Sequence, residues 1–150
     1  MKFPMIFLAL PLALTIGVLQ AGAAENAGQI KVSKGAVQIE RSGERMPAPV
    51  GSVVQQGDLV ITGADGSVGI TFRDNSLLSV GPDSVLSIDR FVFDSTTHQG
   101  AFESSLKQGT LAVVSGKLAK QSPESMKVRT PAAILGVRGT EFLVRTGPKD

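Results

Sequence analysis

The chain has no cysteine, no tryptophan and no tyrosine, and it has a single histidine, His98. Without thiols there can be no disulfide, no thiolate nucleophile and no lipid-modified N-terminal cysteine. One histidine cannot complete a metal shell, which takes several ligands. Set among Ser, Thr and Gln in residues 94–100, it reads as a solvated loop residue. Seven phenylalanines are the only aromatics and the net charge is only +2. That is not the footprint of a nucleic-acid binder, which needs a basic face or stacking platforms. The pI of 9.2 reflects how little titrates between the carboxylates and the lysines. The serines lack a G-x-S-x-G elbow. Gly136 and Gly139 are too close for a phosphate-binding loop, and no helix follows them. Acids are plentiful, so a paired-acid site is the one catalytic arrangement that composition leaves open. No constellation is assembled, and the expectation is a protein that is not an enzyme and carries no cofactor and no metal.

Long apolar runs are scarce as well; the chain has one, at its start. Lys2 is the only charge before Glu25, residues 3–19 are apolar apart from Thr15, and Ala21, Gly22 and Ala23 are small. This three-part layout predicts a secretory signal peptide over residues 1–23, cleaved at Ala23 or Ala24. Pro11 and Gly17 interrupt the run, which is short for a spanning helix. No later segment is long enough to span, so a soluble periplasmic protein with no transmembrane segment is expected. Residues 24–29 read as a flexible lead-in, residues 30–146 as one domain of ordinary size, and residues 147–150 as a tail.

What is present is period-2 alternation, the mark of half-buried strands. Ile30, Val32, Val37 and Ile39 alternate around Gly35, giving two strands or one bent strand. Gly43, Pro47, Pro49 and Gly51 mark turns around a short polar link. Gly57-Asp58 is a turn signal ahead of a strand from Leu59 to Thr62. Asp65, Asp74 and Asp83 then fall nine residues apart, each opening a polar turn. A short alternating strand follows each: Val68, Ile70 and Phe72; Leu78 and Val80; Leu86 and Ile88. The unit reads as a meander or a short β-roll. Calcium-binding rolls share the nine-residue period but need paired glycines before each aspartate, and these are missing. Phe91 and Phe93 alternate beyond the repeat, as do Phe102, Ser104 and Leu106. Leu111 to Val114 forms a separate apolar strand, and residues 115–125 form a Lys/Ser loop with a helical turn around Leu118.

The densest apolar stretch spans residues 128–142. Val128 and Thr130 share one side of an extended chain; Lys127 and Arg129 share the other. Pro131 removes a backbone donor, so the ladder should break or turn there. Ala133, Ile134, Leu135 and Val137 form a short apolar run that reads as a strand buried on both faces. Gly136 and Gly139 permit bends, and alternation resumes with Phe142 and Val144 on one side and Glu141, Leu143 and Arg145 on the other. Arg138, a lone charge in an apolar segment, needs a partner; Glu141, Asp58 and Asp74 are the candidates.

Val128, Thr130, Pro131, Ala133, Val137, Arg138, Gly139, Thr140 and Phe142 together resemble the signature of the FecR-like domain. Gly57, Asp58, Thr62, Gly63, Gly66 and Ser67, followed by Asp74-Asn75-Ser76, resemble that family's N-terminal half. The resemblance covers about residues 28–146. It implies an all-β module of the bacterial cell envelope, of short-stranded roll or sandwich type. In founding members that module is the sensory part of a membrane-spanning regulator, which contacts an outer-membrane receptor and controls a sigma factor. With no cytoplasmic segment and no spanning helix, this chain is expected to be of the stand-alone secreted type. Asp58, Thr62, Gly63, Asp74, Thr130, Pro131, Gly136, Arg138, Gly139, Thr140, Glu141 and Phe142 are its signature residues, expected to be structural.

Charge is uneven along the chain. Residues 24–106 carry six bases and ten acids; residues 107–150 carry eight bases and three acids. The two parts can neutralise each other inside one fold or leave a basic face. Two functions follow. One is a binding or scaffold module for an envelope protein partner, reached through a sheet edge or loops, in sensing or signalling. The other is a binder of an anionic envelope glycan or lipid through Lys117, Lys120, Lys127 and Arg129.

Overall fold

The computed structural model describes residues 26–136 and 140–147. The expected signal peptide, together with Arg138 and Gly139 of the signature, lies outside the described residues. The chain is all-β, as the alternation predicts. Its strands are β1 (Asn26–Lys34), β2 (Val37–Arg41), β3 (Glu44–Pro47), β4 (Val53–Gln55), β5 (Leu59–Thr62), β6 (Ser67–Phe72), β7 (Leu77–Val80), β8 (Val85–Phe93), β9 (Gly100–Val114), β10 (Met126–Arg129), β11 (Ile134–Gly136) and β12 (Glu141–Thr146). One short helix, α1 (Lys117–Gln121), and a 3-10 turn at Pro123–Ser125 follow β9.

Two sheets share the long strand β9. One runs β4-β1-β6-β7-β9-β12 and the other β3-β2-β5-β8-β9-β10-β11. Every pairing is antiparallel except that of β10 with β9. The first part of β9 lies between β8 and β10, and its second part lies between β7 and β12. Gly109, with φ +98°, sits between the two parts. A side chain there would overlap that of Ser84. The strand therefore bends at Gly109 without breaking, and the two strands expected over residues 102–114 are one.

The alternating residues of the nine-residue repeat all point into the core. Val68, Ile70, Phe72, Leu78, Val80, Leu86 and Ile88 are each at most 2% exposed. The repeat is one of turn chemistry, however, and not of stacked strands. Only β6 and β7 form a hairpin; the turns at Asp65 and Asp83 carry the chain between the sheets. Phe72 from the first sheet meets Phe91 and Phe102 from the second, with ring centroids 5.5 and 4.5 Å away. Such tilted aromatic contacts add to the burial that drives the sheets together.

Other expectations change for local reasons. Residues 26–29 are not a flexible lead-in but the start of β1, where Ala27 is buried and a Cβ on Gly28 would press on the Thr71 carbonyl. Small residues serve this close approach, so no apolar pattern announces the strand. The polar link holds β3, whose hairpin to β2 turns on Ser42 and Gly43, both at positive φ. The loop beyond β8 is as predicted: Asp94 Oδ1 accepts the Thr96 and Thr97 N–H groups, which hold its carboxyl below the usual range. The helical turn around Leu118 is α1, with Leu118 buried.

The apolar run after Pro131 is the sharpest departure. The strand is β11, it pairs only with β10, and Ile134 is 66% exposed. A short run of apolar residues cannot by itself say whether its strand is central or at an edge.

Ser104 is buried between Ile88 and Val128, and among the described residues its hydroxyl has no partner. A buried hydroxyl without a bond opposes folding. Ser104→Ala should therefore raise the urea midpoint, by about 1 kcal/mol of stability; a lower midpoint would mean that the hydroxyl is bonded.

Candidate functional site

The signature residues of the first half are turn locks. Asp58 is fully buried and receives two hydrogen bonds of 2.8 Å from Arg41, through Nε and Nη2. It also accepts the Gln55 N–H, while Arg41 reaches the Val53 carbonyl. The hydrogen bond with Asp58, and then its charge, raise the Arg41 pKa above the ordinary value against the opposing effect of burial. Thr62 Oγ1 donates to the Gly81 carbonyl at 2.6 Å and accepts the Ser84 N–H. Gly63 donates to the Ala36 carbonyl and accepts from Gly66 and Asp83.

Asp74 makes the most connected of these locks. Its carboxylate accepts the Ser76 N–H at 3.0 Å and the Ser76 hydroxyl at 2.7 Å, with the Leu118 N–H at 3.4 Å. Its carbonyl accepts the Lys117 N–H, and Ser76 Oγ accepts the Gly116 N–H. A Cβ on Gly116 would collide with this turn. The carboxylate is buried with N–H and O–H donors around it, the arrangement a desolvated anion requires.

In the second half, Thr130 and Ala133 close a two-residue turn over Pro131. The Thr130 N–H donates to the Ala133 carbonyl at 2.8 Å, and the Ala133 N–H donates to Thr130 Oγ1. Phe142 packs against the core, Glu141 is exposed, and the Thr140 carbonyl accepts the Ser115 N–H. Gly136 is exposed on β11. Of the acids proposed for Arg138, Asp58 is engaged by Arg41 and Asp74 by amides and hydroxyls. Sequence reasoning missed Arg41. Its only signal is the register of β2 on β5, which pairs Glu40 with Leu59 and so sets Arg41 beside Asp58.

The four basic candidates are not brought together as an uninterrupted patch. Lys117 and Lys120 are exposed on α1, while Lys127 and Arg129 share the outer face of β10. Glu103 on β9 lies opposite Lys127 and 3.6 Å from Arg129. Glu124, held below the usual range by the Ser122 hydroxyl and backbone, also feels Lys127. Four surface depressions of about 380 to 430 Å³ hold at most one carboxylate each. No three described His, Asp or Glu residues cluster as metal ligands.

Among the described residues, β3, β4, β11 and β12 each leave one sheet edge open. β3 carries Glu44 and Arg45, β12 carries Glu141 and Arg145, and β4 is only three residues long. Charge and brevity are the usual guards of an open edge. β11, Ile134-Leu135-Gly136, has no charge and exposes Ile134 and Leu135.

The profile described as FecR protein matches residues 58–150. That is more than half of the chain, which therefore belongs to the FecR family. No curated protein matches it. A solved structure described as a cell surface anchoring domain is similar at 31% identity, over 41% of this chain and 82% of that one, with a TM-score of 0.39. No described helix is long and apolar enough to cross a membrane.

The Arg41 lock is open to direct test. Arg41→Ala would leave the Asp58 carboxylate buried with little compensation. It should lower stability by about 3 kcal/mol or more, with Arg41→Lys recovering only part of the loss, as read from urea midpoints. An unchanged midpoint in Arg41→Ala would show that the pair contributes nothing.

Proposed function

We propose that this chain is a non-catalytic, periplasmic binding module that recognises an envelope protein partner in sensing or signalling. The observation that carries the reading is the exposed, uncharged edge of β11, which is suited to main-chain pairing with another protein. Membership of the FecR family supports the envelope setting, and the N-terminal layout expected of a signal peptide supports export. The use of Asp58, Thr62 and Asp74 in turn locks supports a non-catalytic role. Of the signature residues, Asp58, Thr62, Gly63, Asp74, Thr130, Pro131 and Phe142 act as structure.

Recognition of an anionic glycan or lipid through Lys117, Lys120, Lys127 and Arg129 is less well supported, because Glu103 lies between two of the four bases.

Capture from an envelope extract at low and high salt separates the two. Main-chain pairing and apolar contact survive 0.5 M salt, at which the Debye length falls below about 5 Å. Retention of a protein at high salt is expected. Release of all bound protein by salt, with an anionic polymer retained at low salt, would overturn the protein-partner reading.

A further inference from the structure

We propose that the open edge of β11 accepts an extended segment of the protein partner as an added strand, and that this segment alternates apolar and acidic residues. The proposal rests on the protein-partner reading above and names its site and chemistry.

The hairpin geometry shows which groups are free to pair. Thr130 and Ala133 form the hydrogen-bonded pair that closes the turn. In an antiparallel ladder bonded and non-bonded pairs alternate. Val128 and Leu135 are therefore bonded to each other, whereas Ile134 and Gly136, opposite Arg129 and Lys127, direct their N–H and C=O groups to the open edge. Ile134 and Gly136 offer two donors and two acceptors, enough to seat a short strand.

The side chains define the chemistry of that strand. Leu135 lies on the face of buried Val128 and is 36% exposed, so the residue set against it should be apolar. On the opposite face Gly136 stands beside Lys127, and a Cβ built on Gly136 meets nothing within 4 Å. An added strand would lie about 10 Å from β10, two strand spacings away. Lysine and glutamate side chains together cover that distance, and the glycine leaves the lane between them clear. Lys127 and Arg129 stand with Arg90 and Lys107 among the acids Glu103, Glu124 and Asp89, four bases against three acids, so this face keeps a small positive surplus. The charge favours a carboxylate in the lane. A second copy paired through its own β11, Ile134-Leu135-Gly136, would bring no carboxylate to that lane.

The test uses the secreted chain and two capped peptides, Thr-Val-Glu-Val-Glu-Val-Thr and its counterpart with lysine for glutamate. Binding is followed by fluorescence anisotropy and by hydrogen exchange. The acidic peptide should bind more tightly and protect the Ile134 and Gly136 amides. Ile134→Pro removes an outward N–H without breaking a hairpin bond and should abolish binding while the denaturation midpoint holds. Gly136→Val, which has room for its side chain, and Lys127→Gln should each weaken the acidic peptide about fivefold, the scale of an exposed ion pair. Equal binding of both peptides, or protection at another strand, would overturn the proposal. So would self-association that Ile134→Pro abolishes, since the occupant would then be a second copy. If Ile134→Pro still captures the envelope protein at high salt, the β11 assignment falls while the protein-partner reading stands.

Discussion

A carboxylate buried among N–H and O–H donors governs how this fold closes. Asp74 is fully buried, and it is neutralised by the Ser76 N–H and hydroxyl and by the start of α1. A desolvated anion holds such donors firmly, because water cannot replace them. The turn between β6 and β7 is thereby tied to residues 116–118, which leave β9. Gly116 is pressed against that turn so closely that only glycine fits. The chain is thus steered from the end of β9 into α1 and back to its beginning, where Met126 pairs with Phe102. A parallel return needs such a crossover, and here it is a five-residue helix and a 3-10 turn. The β10–β11 hairpin, with its open edge, is a consequence of that return. One anionic lock therefore connects the middle of the sequence to the surface proposed for recognition.

The parts of the fold that local chemistry determines were legible in the sequence. Asp65, Asp74 and Asp83 announce turns because Asp suits turn conformations: Asp74 accepts the Ser76 N–H two residues on, and Asp83 takes a positive φ. The alternating apolar residues between them announce which side chains are buried. Pro131 announces the hairpin. What depends on distant partners was not legible. Arg41 and Asp58 are seventeen residues apart, and nothing local says that β2 pairs with β5. Ala133, Ile134 and Leu135 read as core because they are apolar, yet an edge strand and a central strand differ only in what lies beside them. Residues 26–29 read as a lead-in because close backbone approach selects small residues and erases the apolar signal. Leu111 to Val114 read as a separate strand because Gly109 resembles a break, whereas its positive φ bends a continuous strand.

The charge imbalance along the chain illustrates the same limit. Residues 107–150 are basic and residues 24–106 are acidic, yet β9 carries Glu103 into the basic part's neighbourhood. β10 lies parallel to β9, so Lys127 stands opposite Glu103 and Arg129 reaches the same acid from two residues on, with Glu124 also near Lys127. Neutralisation within the fold is real but incomplete at the hairpin. A sequence count can state the surplus; only the register shows that it sits on the outer face of β10, one strand in from the open edge.

The two halves of the family signature therefore carry different weight. In the first half, Asp58, Thr62, Gly63 and Asp74 each have a complete physical account in the bonds that tie their turns to other parts of the fold. In the second half, Thr130 and Pro131 have such an account in the hairpin turn, and Phe142 has one in the core. The strand between them does not. Ile134 buries little, a Cβ built on Gly136 would meet nothing within 4 Å, and the strand pairs with β10 alone among the described residues. An apolar residue left exposed on an unguarded edge is a hazard for a soluble domain. Positions that contribute little to stability and add a risk of misassociation are best explained by a contact made outside the fold, and this is the physical ground for placing recognition at β11.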